Sequence, residues 1–257
     1  MSSTPIGQAA ERAQTEDSAR AAELQARYYR RTAADYDAMH VHEDDGHAAA
    51  LRFISALMDP LQIGSLLDVG CGTGRAVRHF VSRHSGMRVR GAEPIRALIQ
   101  QAVARNGVPA GHIACARGES LPYPDGSFDA VCEFGILHHV PDPNAVVREM
   151  LRVARRAVFL SDANRFGQGS WTARVGKLVL YRLKLWPLAN YVKTRGRGYV
   201  ITDGDGLAYS YSVFDSYDLL ARWGSQVILV PTSPPSARSW AHPLLTAGQV
   251  LACAIRE

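Results

Sequence analysis

Between Ala48 and Ser161 the chain switches repeatedly between short apolar runs and segments whose apolar residues recur every three or four positions. Ser65–Val69, Arg88–Glu93, His112–Ala116, Phe128–Phe134 and Ala157–Ser161 read as strands. Ala48–Met58, Arg75–Arg83, Ile95–Arg105 and Asn144–Ala154 read as helices, punctuated by Asp59-Pro60, Asn106-Gly107 and Pro141-Asp142-Pro143. Strands alternating with helices of about ten residues predict an α/β domain, a parallel sheet covered by helices on both faces.

The alternation breaks at Asn164–Gly169, and Ser170–Tyr199 reads as an insertion. Trp171–Trp186 within it has helical spacing: Arg174, Lys177, Tyr181 and Lys184 fall near one stripe, with Val175, Leu178, Val179 and Leu183 off it. Arg195–Tyr199 and Asp203–Gly206 read as flexible loops flanking this cap, suited to closure over a substrate. Ala208–Val213, Asp215–Trp223, Gln226–Val230 and Gln249–Ile255 supply further strand and helix material. The expected division is an N-terminal tail and helical lid (1–46), a ligand-binding core (47–162), a basic cap (163–207) and a C-terminal completion of the sheet (208–257).

Composition adds little that is selective. The chain has 257 residues, 47% apolar and 21% charged, which suits one large globular domain. A formal charge of +5 is too mild to argue for nucleic acid. Cys71, Cys115, Cys132 and Cys253 form no CxxC pair and read as small buried hydrophobes in a reducing compartment. No apolar run approaches the ~18–20 residues that span a bilayer, and the polar N-terminus lacks a signal-peptide core; a soluble, cytoplasmic protein is expected.

The chemistry begins at Asp68-Val69-Gly70-Cys71-Gly72-Thr73-Gly74, between an apolar strand and a helix. Glycines there let the backbone approach a ligand at the carboxyl end of the first strand. A dinucleotide-binding turn, G-x-G-x-x-G, would need a small residue at position 75, which is Arg75. Glu93, about twenty residues on at the end of the second strand, can hold two ribose hydroxyls there, though taken alone it reads equally well as a surface carboxylate.

The ordered set LLDVGCGTG (66–74), GAEP (91–94), GESLPYPDGSFDAV (118–131) and EFGILHHVPDP (133–143) resembles the class I S-adenosylmethionine-dependent methyltransferases, in particular the small-molecule branch with the ubiquinone/menaquinone-type enzymes. The resemblance covers roughly Tyr28 to Ser161. It implies a Rossmann-like, seven-stranded, mostly parallel sheet with the last strand antiparallel, a cap after the fifth strand, and S-adenosylmethionine across the carboxyl ends of the first strands. By the same resemblance Asp68 organises the turn and the methionine end, and the backbone of Gly70, Cys71 and Gly72 contacts methionine and ribose. Glu93 and Pro94 match the ribose and adenine edge; Arg117, Gly118 and Glu119 match the adenine loop, although relatives often carry an acid where Arg117 stands. Phe134 offers a carbonyl to the methionine ammonium.

Methyl transfer is an in-line displacement in which positioning supplies much of the catalysis. A base matters only when the nucleophile must lose a proton, and His138 and His139 are the candidates. In the similar phosphobase methyltransferases a histidine matching His138 acts with an N-terminal tyrosine; Tyr28, Tyr29 or Tyr36 fits that part, and Tyr29 is included among the cofactor-site residues. The bland alternative has one histidine packing under or capping the next helix. His40, His42 and His47 with Glu43, Asp44 and Asp45 lack a compact ligand spacing and read as a polar loop, so no metal is expected.

From Ala163 to Thr202 there is no acidic residue, yet Arg165, Arg174, Lys177, Arg182, Lys184, Lys193, Arg195 and Arg197 occur. The cap then either turns a basic face to solvent and an apolar face onto the pocket, or binds an anionic small molecule, or lies on an anionic membrane surface. Oligomeric state is not legible. The function expected is methyl transfer from S-adenosylmethionine to O, N or C of a small molecule. Two alternatives stand beside it: a module that binds the cofactor without transfer, and an RNA methyltransferase, which Glu133-Phe134-Gly135-Ile136 disfavours because it lacks the Asn/Asp-Pro-Pro-aromatic pattern.

Overall fold

The computed structural model describes residues 20–233 and 243–256. The polar tail expected before residue 20 lies outside them. The expected sheet forms: seven strands in the order β3-β2-β1-β4-β5-β9-β8. These are β1 (Ser65–Val69), β2 (Arg88–Ala92), β3 (Ile113–Ala114), β4 (Phe128–Phe134), β5 (Ala154–Ala163), β8 (Gln226–Pro231) and β9 (Gln249–Ile255). The first five pair in parallel, and β9 runs antiparallel to both β5 and β8.

Every residue of β1 is buried, as expected of a central strand covered on both faces. Its side chains alternate: Leu67 and Val69 join a core with Phe128, Val131 and Met150, whereas Leu66 joins Ile54, Phe80 and Phe159 on the other side. Helix α4 (Arg75–Arg83) docks through Ala76, Val77 and Phe80, and α6 (Pro143–Val153) through Val146, Val147 and Met150. Asp142 caps α6 by accepting from the Ala145 amide at 3.0 Å, with Pro143 in the first turn, where its missing N–H is not needed. Asp45 does the same for α3 (Gly46–Leu57), accepting from Ala48 N at 2.6 Å.

Three local expectations change. Strand β5 begins at Ala154 and runs past Ser161 to Ala163, which puts Asp162 on the sheet. The single helix expected over Trp171–Trp186 is two, α7 (Trp171–Arg182) and α8 (Trp186–Lys193). Lys184 turns at φ 59°, and Pro187, without an amide donor, suits the first turn of a new helix but not the continuation of α7. The loops expected around 195–206 instead build an antiparallel hairpin, β6 (Tyr199–Thr202) with β7 (Gly206–Tyr209), whose turn is Asp203–Gly206.

Over the carboxyl ends of the strands lie a helix α1 spanning 20–32 and a short α2 (Tyr36–His40). Asp37 of α2 accepts from Thr73 Oγ1 in the glycine turn and from Asn106 Nδ2 at 2.7 Å. Among the described residues no helix is long and apolar enough to cross a membrane.

Candidate active site

The glycine turn closes on itself and on β2. Gly70 N donates to Ala92 O at 2.7 Å and Gly74 N to Cys71 O at 2.8 Å. Gly70 (φ 69°) and Gly72 (φ 54°) lie in the left-handed region, and side chains there would collide with Ile136 and the Tyr36 hydroxyl. Glu93, buried at the start of the segment after β2, accepts from Gly72 N at 3.0 Å and from Ile95 N at 2.8 Å. Burial pushes its carboxyl up to about 7, against the pull of the two amides. Asp68 is buried at the adjoining end of β1 and is raised well above the ordinary range by burial first and by Glu93 second.

A third buried carboxyl, absent from the sequence-based set, stands on the next strand. Glu133 pairs in register with Val69; its Oε2 accepts from Ile136 N at 3.1 Å, and its buried Oε1 has no hydrogen-bond partner among the described residues. Asp68, Glu93 and Glu133 thus bring three buried carboxyls to the ends of β1, β2 and β4, each raised chiefly by burial. Gly118 abuts Val69 and Val146, close enough that a Cβ would crowd both, which sets the expected adenine loop against the end of β1. Arg117 is exposed and pairs with Glu119 at 2.9 Å, Pro94 is exposed at the rim, and Phe134 is half-buried with its ring edge-on to His47.

The histidine pair sits on a single 3₁₀ turn, Leu137–His139, just past β4. His138 Nδ1 meets Asp162 Oδ1 at 2.7 Å, and its Nε2 meets Asp205 Oδ2, on the hairpin turn, at 3.3 Å. Burial alone would depress this imidazole, but the charge of Asp162 and then Asp205 outweighs it and holds His138 up to about 10. His139 Nδ1 donates to the Leu207 carbonyl at 2.7 Å, and its Nε2 lies 3.0 Å from Tyr29 Oη and 3.4 Å from Asp205 Oδ1. Burial raises Tyr29 well above 10, keeping it a phenol that donates. Gln25 of α1 ties this corner together, donating to Asp205 O at 3.2 Å and accepting from Leu207 N at 2.6 Å.

The three N-terminal tyrosines therefore separate. Tyr29, grouped above with the cofactor residues, reaches His139; Tyr36 covers Gly72; Tyr28 donates to Asp203 O at 3.0 Å. Rings of Tyr29 and Tyr36 meet edge-on at 5.8 Å, linking the glycine turn to the histidines. A cavity of about 370 Å³ opens beside His138, lined by His47, Asp162, Gln168, Ser233 and Gln249. His47 is not in a polar loop: it lies in the first turn of α3, half-buried against Ser161 Oγ at 3.0 Å and Gln249. Asp45, from the same stretch, pairs with Arg75 at 2.8 Å.

Of the three readings of the cap, an apolar face turned onto the pocket with the basic stripe in solvent does not hold for α7. Arg174 and Lys177 turn inward, donating to Leu245 O at 2.9 Å and Gln168 O at 2.8 Å, while Val175, Val179 and Leu183 face outward. Arg165 is buried, stacks over Phe166, Tyr181 and Trp186, and pairs with Asp215. Cys71, Cys132 and Cys253 are buried as expected; Cys115 is exposed, because β3 is a two-residue edge strand.

Residues 67–160 match the methyltransferase domain family. Norajmaline N-methyltransferase of Rauvolfia serpentina is 34% identical over 124 residues, 45% of this chain and 42% of that protein. Methyltransferase GfsG of Streptomyces halstedii is 34% identical over 116 residues, 42% and 41% respectively. The matches thus span less than half the length of these curated relatives. Two solved structures share the fold: a possible histamine N-methyltransferase of Thermotoga maritima (TM-score 0.58, 17% identity, 90% of this chain and 99% of that one) and DhpI complexed with SAM and HEP (TM-score 0.59, 21% identity, 90% and 95%). These relatives do not point to the ubiquinone/menaquinone branch in particular.

Proposed function

We infer that this chain, which belongs to the class I S-adenosylmethionine-dependent methyltransferases by the domain at 67–160, transfers a methyl group from that cofactor to a small molecule. The observation carrying this is the grip of Glu93 on Gly72 N at the mouth of a glycine turn whose Gly70 and Gly72 hold the left-handed backbone. When bound, the cofactor supplies an electrophilic methyl group on a sulfonium.

The chain's own groups fit such a ligand. Glu93 holds a diol through its two oxygens, and the backbone of Gly70, Cys71 and Gly72 lies along the ligand. The unpartnered Oε1 of Glu133, beside Asp68, suits an ammonium group, whose burial needs a charged partner. Pro94, Gly118 and Glu119 border the adenine side. The segment 163–207 acts as the substrate cap: its hairpin delivers Asp205 and the Leu207 carbonyl to the histidines, beside the cavity proposed for the acceptor.

The two histidines divide the work. His138, with a pKa near 10, is an imidazolium at neutral pH and holds a proton rather than taking one. His139, which meets the Tyr29 hydroxyl and stands outside the cavity lining, is the candidate base, taking the proton of an acceptor hydroxyl or ammonium only through Tyr29.

Calorimetry with S-adenosylmethionine tests the reading. Wild type binds and Glu93→Ala and Gly72→Arg do not; a wild type that fails to bind overturns it. A methyl-release assay against a metabolite collection then separates an enzyme from a binding module. In that assay His139→Ala is expected to lose more turnover than His138→Ala below pH 8, about 10²-fold against wild type. The reverse order would return the base to His138.

A further inference from the structure

The cap helices are amphipathic in the unusual sense. Protein helices bury their apolar stripe; α7 and α8 bury none of their residues, and what turns toward the body mixes polar groups with the half-buried Leu178, Leu180 and Trp186. Arg174 and Lys177 hydrogen-bond inward to backbone carbonyls, and Asn190 of α8 donates to Gly198 O at 3.1 Å. Outward stand Val179, Leu183, Leu188 and Val192, exposed by 50%, 61%, 63% and 70%. The two helices pack on each other, and Val179 with Leu183 and Leu188 with Val192 are each spaced four residues apart on one side of their helix. A surface of this kind on a water-exposed helix marks a contact that water does not satisfy.

Charge selects the partner. Arg182, Lys184, Lys193, Arg195 and Arg197 are exposed around the apolar residues, and no acidic residue lies between Ala163 and Thr202. A second copy of the chain would bring the same positive charge against itself. An anionic lipid surface accepts both components: leucine and valine side chains enter the headgroup and acyl boundary, and the cations meet the lipid phosphates. We propose that α7 and α8 dock the protein on an anionic membrane surface, with the active-site face of the core left free. This goes beyond the methyl-transfer reading and does not depend on it.

Flotation of the full chain with vesicles of phosphatidylcholine alone, and of phosphatidylcholine with phosphatidylglycerol, tests the proposal. The chain is expected to float with the anionic vesicles and not the neutral ones, and to be released by about 0.5 M salt. The double variant L183E/L188E is expected to lose vesicle binding at least about tenfold while melting like wild type. Absence of flotation with anionic vesicles overturns the proposal, as does unchanged binding by the variant. A wild-type dimer in sedimentation that the variant dissociates, without vesicle binding by either, overturns it in favour of a second copy on this face.

Discussion

Glu93 couples the proposed cofactor site to pH. Its folded-state pKa is about 7, above the ordinary 4.5 of a glutamate, because burial opposes its charge. A raised carboxyl pKa contributes stability that is present below about 4.5 and lost as pH rises through about 7. Ribose hydroxyls donate best to the ionised form, so cofactor binding runs the opposite way. Affinity for S-adenosylmethionine is expected to increase roughly tenfold from pH 6 to pH 8 in calorimetry, one unit below the pKa leaving about a tenth of the group ionised. Glu93→Gln should bind more weakly and flatten that dependence; a sloped profile in the variant would assign the titration to another group. Glu93 was legible in the sequence because its strand end and distance from the glycines are local facts. Glu133 was equally visible as a letter, but only the register of β4 beside β1 turns it into a buried carboxyl with an idle oxygen.

The hairpin β6–β7 is the element that the chain's periodicity concealed. Four-residue strands around a Gly-Asp-Gly turn read as a loop, and nothing in one dimension sets Asp205 against a histidine 67 residues earlier. Asp162 escaped for a related reason: the apolar run of β5 fades before its last residues, while pairing with β9 carries the strand to Ala163. The cap helix shows a third limit, since spacing reveals that a helix has two faces without saying which one turns inward. The elements of the core, by contrast, announce themselves through unbroken apolar runs and capping residues. If Asp205 and Asp162 together hold His138 near 10, Asp205→Asn should lower its pKa by at least about one unit, read from the imidazole resonances in an NMR titration. An unmoved resonance would show that Asp162 alone sets the charge.

As a whole, the molecule divides its stability unevenly. The sheet has two apolar cores, one on each face, whereas α1 and α2 sit on the site through side-chain hydrogen bonds such as Asp37 with Thr73 and Asn106. Ligand that binds only the folded chain stabilises it by mass action, about 2.7 kcal/mol at a hundredfold excess over Kd. For a domain of this size that corresponds to a rise in Tm of roughly 5 °C or more, measurable by scanning calorimetry with S-adenosylmethionine. No rise at saturating ligand would contradict a site shared between the core and its lid.

The short edge strand β3 leaves one practical opening. Cys71, Cys132 and Cys253 are shut in the interior, and burial raises each of their thiols. Cys115 is exposed, its sulfur 3.8 Å from the carbonyl of Pro94 at the rim of the proposed adenine side. A thiol-selective fluorophore added to the native chain therefore lands at a single position without any engineering. The irregular edge of the sheet thus supplies an optical handle beside the proposed cofactor site, from which its filling and emptying can be followed in real time.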